Sequence, residues 1–314
     1  ITCSISIAAD LFAGPGDTVI IPDLYWGNYK LIFEDKKAAS IKNFKFFSGG
    51  GLNISGLEGA VNESRGEKII ILLNFPNNPT GYSPTKTEAE ELRKLLLKAA
   101  QAGKKLLVIC DDAYFGLFYE DDALKESIFS RLVDRHPRLL AVKLDGATKE
   151  NYVWGLRVGF ITYGGTFTGD TGPLFDALER KTAGCIRGTL SNASHLSQTI
   201  LLKSMQDERN MAERKAKFDI LKDRAERVKA VSMDPKYAAA WEVYPFNSGY
   251  FMCIRLKTVD AEALRVYLLD RYGVGLISLG TSNLRIAFSC LEAEDVEKLF
   301  EIIFQGVEEL ENIK

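Results

Sequence analysis

Lys149 stands a few residues beyond an apolar run, Leu139-Leu140-Ala141-Val142-Lys143-Leu144, which reads as a buried strand ending at Asp145-Gly146. Thr148 precedes the lysine, and Gly155, Arg157 and Gly159 lie downstream at the opening of a second apolar strand, Val158 to Tyr163. In an open α/β sheet, ligands bind beyond the carboxyl ends of the strands. A lysine there can be more than the solvated charge that most lysines are. Two further residues hold the same kind of position. Asp111 follows the apolar strand Lys105 to Cys110, and a carboxylate closing a buried strand must be paired or take up a proton. Asn78 follows the run Lys68 to Asn74 within Asn74-Phe75-Pro76-Asn77-Asn78-Pro79-Thr80-Gly81. The two prolines bar regular structure there and leave Asn78 on a rigid loop at the strand's end.

The elements that would position these groups alternate. KIIILLN at Lys68 to Asn74 is continuously apolar, as a parallel strand covered on both faces must be. Ser83-Pro84-Thr85 predicts a helix start with Ser83 as cap and proline in the first turn. Ala89, Leu92, Leu96 and Ala99 then form one buried stripe, and Gly103 ends the helix. Strand, helix and strand make a βαβ unit, which is right-handed and parallel. Upstream, a helix is expected over Ile1 to Phe12, strands over Thr18 to Pro22 and Phe44 to Phe47, and a short helix over Leu57 to Glu63. Gln198 to about Val228 reads as one long helical connection with charged faces. Beyond it, strands at Gly249 to Leu256, Val274 to Ser278 and Leu284 to Ser289 and helices at Asp260 to Arg271 and Glu292 to Glu309 form a small α+β layer. Alternation along Asn283 to Ser289 puts Arg285 on one face with Ala287. The fold class is therefore α/β: a mostly parallel sheet sandwiched by helices over residues 1–215, and a smaller C-terminal α+β domain over 216–314.

Composition narrows the function. A hydrophobic content of 46% with 26% charged residues describes an ordinary globular chain. A formal net charge of -2 gives no electrostatic case for nucleic acid or an anionic membrane. No apolar run approaches the roughly 20 residues of a membrane-spanning helix, and with no basic signal segment a cytoplasmic home is the default. The 5 cysteines show no C-x-x-C spacing and, apart from Cys3 and Cys185, lie in apolar runs, so buried reduced thiols are expected. The 2 histidines, His136 and His195, pair with no metal-ligand pattern, and no catalytic metal is expected.

Five motifs, in order along nearly the whole chain, resemble those of the fold-type-I, pyridoxal 5′-phosphate (PLP)-dependent class I/II aminotransferases, the aspartate aminotransferase superfamily. Lys149 and Arg157 match the Schiff-base lysine and the arginine of its G-x-R-x-G segment. Asn78-Pro79-Thr80-Gly81 matches its N-P-T-G motif, Asp111-Asp112-Ala113-Tyr114 its D-x-A-Y motif, and Leu284-Arg285-Ile286 its L-R-I strand. Pro22 to Tyr29 resembles the segment that carries an aromatic ring-stacker, with Trp26 the best match; read alone, such a tryptophan belongs to a core or an interface. Arg187, in Arg187-Gly188-Thr189-Leu190-Ser191-Asn192, fits a segment near the family's dimer interface, and is either a substrate contact or a structural interface residue.

The resemblance implies the following roles. Lys149 carries PLP and then serves as general acid–base. Asp111 keeps the ring nitrogen protonated, while Asn78 and Tyr114 bond the phenolic oxygen. Thr148 and Arg157 hold the phosphate, and Arg285 forks onto the substrate α-carboxylate. Arg187 would favour a dicarboxylate substrate, whereas Tyr25, Trp26 and Tyr29 would favour an aromatic one. The implied activity is a transaminase exchanging an amino group between an L-amino acid and a 2-oxo acid, as a homodimer. One departure is plain: Gly146 stands where the family has a phosphate-binding serine. The glycine-rich phosphate turn that precedes the first helix in the family has no counterpart before Ile1, so the chain looks like a protein lacking roughly a quarter of a family member, and weak cofactor binding and poor activity are expected of it. Rival readings are another fold-type-I reaction, such as a C–S lyase or decarboxylase, and the PLP-binding sensor domain of an aminotransferase-like transcription regulator.

Overall fold

The computed structural model describes residues 1–313. The chain divides into two compact units: residues 1–76, 84–116 and 122–210 form the first, and residues 77–83, 117–121 and 211 onward the second.

The first unit is built on a six-stranded sheet. Its strands are β1 (Thr18–Pro22), β2 (Ser40–Phe44), β3 (Lys68–Asn74), β4 (Lys105–Asp111), β5 (Leu139–Gly146) and β6 (Gly159–Gly164). Their spatial order is β2-β1-β3-β4-β5-β6. All pairs are parallel except β5 with β6, which run antiparallel. β3 is buried from Ile69 to Asn74, as a central parallel strand must be. Register sets Asn74 beside Asp111 and Asp111 beside Leu144, so the carboxyl ends of β3, β4 and β5 are level. One sheet face packs a core of Ile5, Ala8, Ala9, Val19, Ile21, Tyr29, Ile70, Ile109, Val142 and Leu144. Ile5, Ala8 and Ala9 come from helix α1 (Thr2–Phe12).

Local chemistry moved several boundaries from their predicted places. Helix α2 runs over Ile54–Glu63 and starts three residues earlier than predicted because the Asn53 side chain accepts from the Gly56 N–H. Helix α3 (Lys86–Gln101) is capped by Thr85 rather than Ser83: Thr85 and Glu88 form a reciprocal capping box. Ser83 instead bonds Asn247 and Ser248 within the second unit. The strand predicted at Phe44 to Phe47 is β2, drawn earlier by parallel pairing of Ser40–Phe44 with β1.

The long connection predicted from Gln198 to Val228 is two helices, His195–Gln206 and Asn210–Ser232. Between them the Asp207 carboxylate accepts from the backbone N–H and guanidinium of Arg209, a local alternative to helix continuation. A further helix, Gly172–Thr189, carries Arg187 in its last turn.

The second unit contains a four-stranded antiparallel sheet of β7 (Trp241–Val243), β8 (Met252–Leu256), β9 (Ile277–Leu279) and β10 (Asn283–Ile286), in the order β9-β10-β8-β7. β7 is too short to have shown a period in the sequence. Helices Ala261–Tyr272 and Val296–Ile313 accompany the sheet. Tyr237, Trp241 and Phe300 form an aromatic cluster, with Tyr237 and Trp241 stacked at 4.6 Å. Cys110 and Cys253 are buried as expected, but Cys290 is exposed because Phe288–Cys290 is a single 3-10 turn rather than the end of a strand. Among the described residues no helix is long and apolar enough to cross a membrane, and no group of acidic, histidine and cysteine side chains is arranged to hold a metal.

Candidate active site

Asp111 ends β4 and is only 2% exposed. Its two oxygens are each engaged by a neutral donor: the Tyr29 phenol donates to Oδ2 at 2.5 Å, and the Ala113 N–H donates to Oδ1 at 3.0 Å. Burial pushes the carboxyl's pKa up, against the pull of these two bonds and the nearby Lys149 charge. The β3 end is tied to the same place, since the Asn74 amide and the Phe75 N–H both donate to the Asp111 carbonyl.

Lys149 lies in the short helical turn Ala147–Glu150 that follows β5. Its ammonium sits over the Tyr114 ring, 4.8 Å from the centroid. Burial lowers the pKa of this amine and the Arg157 charge lowers it further, while Asp111 opposes both. A lysine of this kind holds a larger share of neutral, nucleophilic amine than a solvated one. Thr148, one residue before it, is buried.

Arg157 adopts the left-handed conformation, φ 57°, which a non-glycine residue rarely takes. It is exposed, and its guanidinium donates to the Trp154 carbonyl at 3.2 Å. At Gly146 a Cβ would come within 2.7 Å of the Ile1 Cγ1 atom. A serine there would crowd Ile1, which gives the departure from the family motif a steric reason.

Trp26 is half-buried and meets the Tyr29 ring edge-on, 5.6 Å between centroids at 90°. Tyr29 is 1% exposed and bound to Asp111, so it is not available to contact an aromatic substrate as the sequence had allowed. Asp112 is buried too, and its carboxylate lies 3.4 Å from Lys143. Lys143 also pairs with Asp145. A cavity of about 220 Å³ is lined by Phe115, Lys143, Asp145, Glu150 and Leu201 among others; neither Asp111 nor Lys149 contributes to it.

Two of the expected site residues belong to the second unit, where they meet each other. The Arg285 guanidinium donates to Asn78 Oδ1 at 2.9 Å and lies 4.2 Å from the centroid of the Phe251 ring. The loop holding Asn78 is fixed from within: Asn77 Oδ1 accepts from both the N–H and the hydroxyl of Thr80. Gly81 has φ +72°, and a Cβ on it would fall 2.0 Å from the Phe251 carbonyl oxygen, so glycine is required. Arg187 joins neither group. It is exposed, and its guanidinium donates to the Ser191 carbonyl and hydroxyl.

The donor set of the first unit fits a PLP ring and aldehyde. Asp111 is a buried carboxylate satisfied by neutral donors and suited to a cationic nitrogen, and Lys149 is a partly desolvated amine. For Tyr29, sequence reasoning allowed a substrate contact and missed the bond to Asp111. Its only signal was its place three positions after Trp26, and its partner lies 82 residues away.

The family model described as aminotransferase class I and II matches residues 2–303. The mitochondrial aspartate aminotransferase of Schizosaccharomyces pombe is 25% identical over 317 aligned positions, covering 93% of this chain and 67% of that protein. The mitochondrial aspartate aminotransferase of Saccharomyces cerevisiae is 23% identical, covering 89% and 66%. The chain thus spans about two thirds of the length of these relatives. Among solved structures, an aminotransferase from Anaerococcus prevotii superposes with a TM-score of 0.83 at 25% identity, over 97% of this chain and 73% of that one. An α-aminoadipate aminotransferase of Thermus thermophilus, complexed with N-(5′-phosphopyridoxyl)-L-leucine, shares the fold with a TM-score of 0.76 at 18% identity, over 100% and 76%.

Proposed function

The chain belongs to the class I and II aminotransferases, a PLP-dependent family, and from that premise we propose that it transfers the amino group of an L-amino acid to a 2-oxo acid with Lys149 as the residue that carries PLP. The observation that carries this reading is the pairing of a partly desolvated lysine with a buried carboxylate whose own hydrogen bonds come from neutral groups. When bound, PLP supplies an electron sink conjugated to the substrate's Cα.

Every other task falls to the chain's side chains. Asp111 would hold a proton on the ring nitrogen, a charge pair being strongest in a low-dielectric setting. The Lys149 amine, with its pKa lowered by burial, would hold the cofactor and, once free, would take the proton from the substrate's Cα as general base. Tyr114, whose ring centroid lies 4.8 Å from the Lys149 ammonium, would bond the phenolic oxygen. Arg157 and Thr148 take the phosphate. Arg285 is the group for the substrate carboxylate, for which a planar fork is well shaped, and its bond to Asn78 Oδ1 leaves the Asn78 amide nitrogen as the donor proposed for the phenolic oxygen.

A homodimer is part of the proposal. Its support is the run of exposed large apolar side chains in the first unit, including Trp154, Phe160, Leu196, Ile200, Leu202 and Met205. The relatives' names put aspartate first among amino-acid substrates to try. The test is product analysis after adding PLP, L-aspartate or another amino acid, and 2-oxoglutarate. Glutamate with the matching 2-oxo acid is the expected result. Ammonia and pyruvate from a β-substituted amino acid would assign an elimination instead, and loss of carbon dioxide a decarboxylation.

A further inference from the structure

We propose that Tyr29 is the positioning residue of this site: its phenol fixes the Asp111 carboxylate in the orientation and charge state that receives a cationic ring nitrogen, and its ring fixes Trp26. This rests on the reading of Lys149 and Asp111 as the cofactor site.

The helical turn after Trp26 delivers Tyr29 into the core, where it is among the most buried large side chains. Its ring is stacked with Tyr25 at 6.4 Å and meets Trp26 edge-on, so it cannot rotate without disturbing both. Its hydroxyl reaches Asp111 Oδ2 at 2.5 Å, the length of a charge-assisted O–H···O bond. Burial, reinforced by Asp111, pushes the phenol's pKa up, so the proton stays on Tyr29 and the bond has one direction.

The consequence concerns Asp111. Desolvation alone would drive this carboxyl toward its neutral form. A neutral Asp111 would not hold a pyridinium. Tyr29 opposes that without adding charge, as does the Ala113 N–H; both bonds favour the charged form that a cation would meet. Lys149 is a charged side chain that acts on Asp111, with the Tyr114 phenol acting on Tyr29. A lysine in place of Tyr29 would neutralise the carboxylate permanently. A phenylalanine would leave it without its side-chain donor.

The test uses the full chain with Tyr29→Phe and, separately, with 3-fluorotyrosine at position 29, whose phenol is the stronger donor and nearly the same shape. In the cofactor-free protein, the infrared carboxyl bands of Asp111, assigned by their loss in Asp111→Asn, are followed against pH. The Asp111 acid constant is expected to fall about tenfold in Tyr29→Phe and to rise with fluorotyrosine. PLP affinity, read by absorbance, is expected to fall about tenfold in Tyr29→Phe. Unmoved Asp111 titration in folded Tyr29→Phe overturns the proposal. If that variant does not fold, an unmoved titration with fluorotyrosine overturns it. A moved titration with unchanged PLP affinity overturns the cofactor-facing part. If the unaltered protein takes up no PLP, the cofactor reading fails, and the infrared arm still decides whether Tyr29 governs Asp111.

Discussion

Asp111 and Asp112 are neighbours at the end of one strand, both 2% exposed, and they have opposite surroundings. Burial raises the pKa of each. Asp111 is bonded by a phenol and a backbone amide, both neutral. Asp112 faces a resident cation, Lys143, at 3.4 Å, with the Ser127 hydroxyl as a further partner. Successive side chains at a strand end point to opposite faces, so one residue step separates the two settings. A buried carboxylate with its cation built in is part of the fold. One supplied only with neutral donors is ready for a cation that comes with a ligand. Burial alone, the same for both, does not tell them apart; the charge of the partner does.

Exchanging each carboxylate for its amide tests that distinction most strongly. Asp111→Asn is expected to lower PLP-dependent turnover on the order of a hundredfold, the loss of one strong charge-assisted contact. Asp112→Asn should change turnover by less than about threefold. Comparable losses in both would erase the contrast.

Stability against pH sharpens it next. Asp112 has its pKa pushed up to about 7, above its ordinary value of 3.8. Between those two values the folded state binds more protons than the unfolded one, so this residue's contribution to stability falls as pH rises and the full penalty is present above about pH 7. Denaturant melts from pH 4 to pH 8 should show the unaltered protein losing on the order of 2 kcal/mol relative to Asp112→Asn. A parallel pair of curves would contradict the assignment.

A smaller effect is expected at the cation. In Lys143→Met, Asp112 loses its charged partner, so its pKa rises further and it holds its proton to higher pH. The variant should match the unaltered protein at pH 5 and be about 1 kcal/mol less stable at pH 8. Equal loss at both values would mean that Lys143 stabilises through Asp145 alone.

What the sequence made legible follows from what each feature depends on. β3, β4 and β5 were readable because parallel strands buried on both faces are continuously apolar, and their ends locate Asn74, Asp111 and the turn bearing Lys149. The placing of Asn78 on a fixed loop was readable from its two prolines. Features that depend on distant partners were not. Tyr29 gains its meaning from a residue 82 positions away, and Asp112 from Lys143 on the adjacent strand. The helix break at Asp207 was hidden because Asp and Arg are ordinary on a helix surface, and only their mutual bonds show the turn. Ser83 was a plausible cap until its hydroxyl found Ser248. Gly146 looked like a lost phosphate ligand, and the nearness of Ile1 Cγ1 accounts for it sterically.

The central claim is that the Lys149 amine is the one that carries PLP. Incubation of the protein with PLP, reduction with borohydride and peptide mapping by mass spectrometry test it without assuming a substrate. The phosphopyridoxyl mass is expected on the peptide containing Lys149, and Lys149→Arg should abolish it there. The same mass on Lys143 or on a surface lysine, with Lys149 unlabelled, would contradict the account.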